Sequence, residues 1–242
     1  MRILLKIKLL VLEKIRIKHS NRKLHNWLVY KNMDRILWEN NNLYRGVIYD
    51  LGCGEKPYEP LFLQQAEKYI GVDWSNTPHL LKADIVADLN KPLSIESEVA
   101  DVVVSISVLE HLCEPMTMLS ESFRILKPGG SILLQVPWQW WIHEAPYDFY
   151  RYSPYGLNYL FEKAGFKEIS VKPTAGYFSM MALKTNYFLL RMLKIPKFPR
   201  AILKGLFIPI WFITQVTAPL LDKLDRNWLL ETQGYWVLAK KM

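Results

Sequence analysis

Val47 to Pro57 reads V-I-Y-D-L-G-C-G-E-K-P. A short apolar run ends in the acid Asp50, and Gly52 and Gly54 follow at once. An apolar run, a glycine turn and then a helix is how an α/β sheet builds a nucleotide pocket. The strand brings the backbone to the sheet edge, and glycine lets that backbone come close to a ligand.

The chain downstream keeps this rhythm. Tyr69–Asp73 reads as a second strand ending in an acid, and Asp84–Ala87 as a third, followed by Asp88 and Leu89. Asp101–Ser105 (D-V-V-V-S) has a continuous β-branched run at Val102–Val104, the pattern of a strand covered on both faces. Ser131–Val136, Lys167–Val171 and Tyr235–Ala239 complete seven strands. Helices are expected within 24–46, over 60–67, and from Pro115 to a stop at Lys127-Pro128-Gly129-Gly130. A further helix is capped by Ser153, opened by Pro154 and ended at Gly165. Alternating strands and helices predict an α/β fold: a Rossmann-like, doubly wound, mostly parallel seven-stranded sheet.

The ligand can be narrowed from spacing. Asp73 lies twenty-one residues after Gly52, where an acid can accept hydrogen bonds from ribose hydroxyls. A dinucleotide fingerprint needs a third glycine at position 57, which is Pro57. A ligand with ribose and adenine but no pyrophosphate fits better.

The segments D-L-G-C-G, G-V-D, A-D-L, V-L-E-H-L and L-K-P-G-G, in this order, resemble class I S-adenosylmethionine-dependent methyltransferases of the type-11 group. The resemblance covers about Val47 to Val171, with the last strand. It implies S-adenosylmethionine as cofactor. It further implies that Gly52 and Gly54, with Cys53 between them, face the methionine part and that Asp50 orders the loop. Asp73 would hold the ribose, Asp88 and Leu89 would meet the adenine, and Trp74 would flank it. Ser105, ending the fourth strand, joins this set. Lys56 stands where the family's third glycine usually lies.

Methyl transfer to oxygen or nitrogen also needs a proton acceptor. Residues 137–157 read P-W-Q-W-W-I-H-E-A-P-Y-D-F-Y-R-Y-S-P-Y-G-L, an aromatic stretch around His143, Asp148 and Arg151. His143 is the first choice for general base, with Asp148 orienting it and Arg151 holding an anionic group. The spacing is similar to that of type-11 members from glycan and surface-polysaccharide biosynthesis. His111 is placed at the pocket wall. Quinone-pathway O-methyltransferases carry an extra acid three residues before a similar Glu-His and can bind a divalent metal. That position here is Ser107, so no metal is expected.

Four units follow: a basic arm (1–23), the core (24–171), a hydrophobic helical insertion (172–234) and the final strand (235–242). The arm holds eight Lys/Arg against one acid, +7 of the total +8, so the body is nearly neutral and no nucleic acid is expected. Gly205–Leu221 runs seventeen residues without a charge, interrupted by Pro209 and Pro219. It is short for a membrane span, and one crossing would strand the last strand on the far side. The insertion is therefore expected to cover the acceptor pocket or to dip into one leaflet. A homodimer interface would explain the same hydrophobicity. Two cysteines, Cys53 and Cys113, suit a reducing compartment, so the protein reads as cytoplasmic and peripheral to the membrane.

The expected activity is methyl transfer to a hydroxyl on a small molecule, a sugar or glycan precursor, or a lipid-linked intermediate. The rivals are a quinone or other lipid methyltransferase, and a catalytically inactive, S-adenosylmethionine-binding interaction protein at the membrane.

Overall fold

The computed structural model describes Ile17 and residues 19–76, 80–194 and 197–242, the stretch 197–199 by backbone alone. Residues 1–16 and 18 of the expected arm therefore lie outside the described residues. The strands are β1 (Gly46–Leu51), β2 (Ala66–Asp73), β3 (Ile85–Val86), β4 (Ala100–Ile106), β5 (Leu126–Pro137), β6 (Lys167–Pro173) and β7 (Gly234–Lys240). They form one sheet in the order β3-β2-β1-β4-β5-β7-β6. The first five neighbours pair in parallel, and β7 runs antiparallel between β5 and β6. Val237 of β7 faces Leu134 on one side and Val171 on the other. The fold is the Rossmann-like, mostly parallel seven-stranded sheet that the strand alternation predicts.

Period-two alternation divides the core into two layers. Tyr49, Leu51, Val103, Leu134 and Val237 face α3 (Pro115–Ile125) and α4 (Pro154–Lys163), where Leu119, Leu157 and Phe161 are fully buried. Ile48, Val102, Val104, Leu133 and Trp236 face the other way, onto Leu37 of α1 (Trp27–Glu39) and Phe62 of α2 (Glu59–Phe62). The Ser153 hydroxyl caps α4 by accepting the Gly156 N–H at 3.1 Å.

Some element boundaries differ from the sequence reading. The helix expected over 60–67 is a single turn, because β2 begins at Ala66 and pairs with Gly46. The helix expected to stop at Lys127-Pro128-Gly129-Gly130 ends earlier, at Ile125. Leu126 is already extended and paired with Ala100.

The insertion forms two helices, α5 (Tyr177–Met192) and α6 (Lys197–Leu221). The two prolines expected to interrupt the apolar run lie inside the continuous α6. Its buried side is Phe207, Trp211, Gln215 and Ala218, the spacing of one helix face. Gln215 is a buried strut: its carbonyl accepts the Leu28 N–H at 2.9 Å and its amide donates to the Leu24 carbonyl at 2.8 Å. Asn186 of α5 donates to the His25 carbonyl, and Asn26 donates to the Tyr187 hydroxyl. These bonds fasten the insertion to the start of α1, beside the carboxyl ends of the strands.

Candidate active site at the sheet edge

The turn after β1 is held by β2. Gly52 and Cys53 donate their N–H groups to the Val72 carbonyl at 2.7 and 3.1 Å. Gly54 donates to Asp73 Oδ2 at 2.7 Å, and Trp74 donates to Asp73 Oδ1 at 2.8 Å. Gly52 has φ +83°, and a Cβ there would stand 2.2 Å from Val108 Cγ2, so only glycine fits. Gly54 has φ +52° and open space where a Cβ would go. Lys56, in the place of the third glycine, adopts the same left-handed backbone (φ 54°). Its ammonium is held by Asp84, which also accepts the Gly71 N–H.

A cavity of about 1220 Å³ opens here. Its wall includes Asp50, Gly52, Gly54, Asp73, Trp74, Asp88 and Leu89 from the expected cofactor set. Two expected residues lie elsewhere. Ser105 is fully buried in β4, where its hydroxyl donates to the Leu51 carbonyl and ties β4 to β1. Cys53 is buried against Gly71, and burial pushes its thiol pKa up. Asp50 also differs from expectation. It accepts from the Tyr69 hydroxyl, whereas the loop N–H groups go to Val72 and Asp73. Burial pushes the Asp50 carboxyl up to about 7, against the Tyr69 hydrogen bond.

The acceptor side is built from the segment after β5 and from the turn Leu109–His111. His111 and His143 both line the cavity, with ring centroids 4.8 Å apart. Burial, and then the neighbouring His111, lower the pKa of His143 and keep its imidazole neutral. Asp148 lies behind His143, its side chain only 1% exposed, accepting the His143 backbone N–H at 2.8 Å. Its Oδ2 stands 3.3 Å from His143 Nδ1, at an angle too poor for a hydrogen bond. Burial acts upward on Asp148, but the Arg151 hydrogen bonds hold it down at about 2. Arg151 is committed to Asp148 and to the Trp141 and Tyr150 carbonyls, and it does not line the cavity. It braces the aromatic segment instead of presenting itself to an anionic group.

The sequence reading did not single out Glu110, Tyr30 or Tyr187 as site residues. Tyr187 of α5 contacts the rings of Trp140 and Trp141, so the insertion roofs the cavity. Tyr30 reaches the wall from α1. Glu110 is fully buried, and neither carboxylate oxygen has a hydrogen-bond partner among the described residues. Burial pushes its carboxyl up to about 8.

Comparison with known proteins bears on this edge. Residues 49–134 match a methyltransferase-domain family. The matched segment holds the glycine turn, Asp73, Asp88 and the Glu110–His111 turn. A Mycolicibacterium smegmatis protein described as a probable S-adenosylmethionine-dependent methyltransferase is 32% identical over 96 residues, covering 37% of each chain. A ubiquinone biosynthesis O-methyltransferase of Pseudomonas fluorescens is 27% identical over 112 residues, covering 40% of this chain and 48% of the relative. This chain thus spans less than half the length of these relatives. Among solved structures, an S-adenosylmethionine-dependent methyltransferase from Archaeoglobus fulgidus aligns with a TM-score of 0.54 at 17% identity, over 97% of this chain and 99% of that one. Haemonchus contortus phosphoethanolamine N-methyltransferase 2, solved with S-adenosyl-L-methionine, aligns at 0.55 and 15% identity, over 95% of this chain and 59% of that one.

Residues 49–134 thus resemble a methyltransferase domain seated in the Rossmann-like sheet, a domain whose cofactor is S-adenosylmethionine. The residues present fit the cofactor. Asp73 spends one acceptor site per oxygen on the loop and keeps the others for ribose hydroxyls. Gly54 leaves room for the ligand to approach the backbone.

Proposed function

We propose that the protein transfers a methyl group from S-adenosylmethionine to a hydroxyl of a lipid-linked sugar or glycan precursor, working at a membrane surface. The observation that carries this reading is the single cavity joining the donor edge at Asp73 and Asp88 to a wall of Trp140, Trp141 and Tyr187. Ligand pockets commonly enclose about 300–1,000 Å³, so this one has room for donor and acceptor together. Aromatic faces suit the apolar faces of a sugar ring, as well as a lipid-borne ring.

The cofactor supplies an activated methyl group for in-line displacement. The protein aligns the two reactants, which is worth about 7 kcal/mol or more in ideal cases. His143 is neutral and lines the cavity, as a group that takes the hydroxyl proton must.

The membrane element rests on α6. Ile202, Leu206, Phe212, Ile213, Val216 and Leu220 leave a contiguous apolar side in solvent. Lys184, Arg191 and Lys204 are exposed on the same pair of helices and Lys194 on the connection between them, a charge suited to anionic lipid. By length and composition α6 could cross a bilayer, yet β7 follows it and pairs within the sheet. Lying in one leaflet satisfies both facts. A quinone-type acceptor is the second reading, supported by the ubiquinone-pathway relatives.

Incubation with methyl-labelled cofactor and a cell lipid extract tests this directly. Label should enter the organic phase and be released by mild acid hydrolysis of sugar–lipid linkages. Label in an acid-stable aromatic lipid selects the quinone reading. Transfer only to water-soluble acceptors overturns the lipid element. A Phe212→Glu/Ile213→Glu protein should also lose flotation with anionic liposomes. Unchanged flotation, or a dimer in solution that buries this face, removes the membrane role.

A further inference from the structure

Glu110 presents a problem that the methyltransferase reading does not solve. A fully buried carboxylate with neither oxygen hydrogen-bonded to any described residue is costly. Its surroundings show what would satisfy it. Oε1 lies 3.7 Å from His111 Nε2 and 3.9 Å from His143 Nε2. A proton shared with either imidazole would need about 3.2 Å or less.

Both rings are turned the same way. His111 Nδ1 lies within hydrogen-bond distance of the Tyr147 carbonyl, which must accept and so places the ring proton on Nδ1. His143 Nδ1 faces Asp148 at 3.3 Å. In each ring Nδ1 is turned to an oxygen and Nε2 towards Glu110. Metal-binding histidines carry the second nitrogen on a carbonyl or carboxylate; His111 does so, and His143 has the carboxylate in place without a formed hydrogen bond.

We propose that Glu110, His111 and His143 form a site for a divalent transition-metal cation at the acceptor end of the cavity. The three ligand atoms all lie within 4.8 Å of one another. Bonds of about 2.0–2.2 Å to zinc require ligand separations of roughly 3–3.6 Å, which side-chain rotations of less than about 1 Å supply. Two imidazoles and one carboxylate suit zinc, manganese or iron and not magnesium, which prefers oxygen. His111 and His143 line the cavity, so the ion's open positions face the acceptor. Glu144 Oε2, 4.0 Å from His111 Nε2, adds negative charge to the site. The third ligand comes from a different loop from the Glu-His pair, so Ser107 does not leave the set incomplete.

Any catalytic role of the ion rests on the methyltransferase reading. With metal bound, His143 would be a ligand instead of the proton acceptor, and the ion would acidify a coordinated hydroxyl so that its proton could pass to solvent water. Binding of the ion does not depend on that reading.

Zinc chloride is titrated calorimetrically into the chelator-treated full chain, in a Cys113→Ser background that removes the exposed thiol. Cobalt(II) replaces zinc in a parallel optical titration. One ion per chain is expected, with Glu110→Gln and His143→Ala each weakening binding at least about tenfold and altering the cobalt spectrum. S-adenosylhomocysteine affinity, measured alongside, should stay unchanged and reports separately on the donor site. Absence of saturable binding, or equal affinity in the folded His143→Ala protein, overturns the proposal. His143 is partly exposed, so its variant carries the test if Glu110→Gln does not fold.

Discussion

Replacing Asp73 by Ala should remove most of the affinity for the cofactor. Asp73 is 8% exposed, and its carboxylate already accepts the Gly54 and Trp74 N–H groups at 2.7 and 2.8 Å. One further acceptor site on each oxygen remains for the ribose diol. Hydrogen bonds to a charged group are worth about 1.5–3 kcal/mol each, so losing two costs about 3–6 kcal/mol. That is roughly two to four orders of magnitude in Kd. Asp73→Asn keeps one acceptor oxygen and should lose about half of that free energy. Asp73→Ala also leaves both loop N–H groups unpaired and Asp73→Asn leaves one, at about 1–3 kcal/mol each. For a domain of this size each kcal/mol lowers Tm by about 2–4 °C. Binding of S-adenosylhomocysteine is therefore measured by calorimetry well below the melting transition, on protein whose cooperative melt is verified. An Asp73→Ala protein that melts cooperatively and binds within about twofold of the parent would refute the ribose role.

Other perturbations separate the parts of the site. Gly52→Ala places a methyl group 2.2 Å from Val108 at φ +83°; left-handed strain of about 1–2 kcal/mol and overpacking of about 1–3 kcal/mol should lower Tm and abolish cofactor binding together. Trp141→Ala should lower kcat/KM for the acceptor while leaving S-adenosylhomocysteine affinity nearly intact; equal losses in both would place Trp141 in the donor half. Ser153→Ala should cost about 1 kcal/mol by uncapping α4, read as a fall of about 2–4 °C in Tm with no change in cofactor affinity. Asp50 has a folded-state pKa raised to about 7 from 3.8, so the folded protein holds its proton across that window and the unfolded chain does not. Its stabilising contribution is complete below about pH 4 and falls as pH rises to about 7, by at most about 4 kcal/mol. Denaturant melts of Asp50→Asn should show a flatter pH dependence, and an identical slope would contradict the assignment.

The donor half was legible because it is local. Each strand announces itself by an apolar run, and each loop by a residue type with one physical use, such as Gly52 where a Cβ cannot fit. Failures there came from pairing outweighing local signals. Ala66 and Glu67 look helical in sequence but belong to β2, where Ala66 pairs with Gly46. Lys127-Pro128-Gly129-Gly130 looked like a helix stop but joins β5, with Gly129 bonded to the Lys241 carbonyl. Ser105 had the right position in sequence, but the pleat turns its hydroxyl into the sheet. The acceptor half depends on residues far apart in the chain. No periodicity brings Tyr187 of the insertion onto Trp141, or His143 to Glu110 across thirty-three residues. Arg151 reads as an anion holder in sequence because its charge is visible there. The carbonyls of Trp141 and Tyr150 that occupy it are not.

The place of β7 has a consequence for how the molecule assembles. It is inserted between β5 and β6, though both are made well before it. Until Gly234–Lys240 leaves the ribosome, those two strands have a vacant slot between them and cannot pair with each other in the native register. The apolar α6 emerges ahead of that closing step, while the half of the sheet beneath it is still open. Such long-range closure is intrinsically slow. During synthesis the helix is thus offered to a nearby bilayer or a chaperone before its own sheet can complete, and truncation before Gly234 should yield a species that aggregates instead of a smaller folded domain.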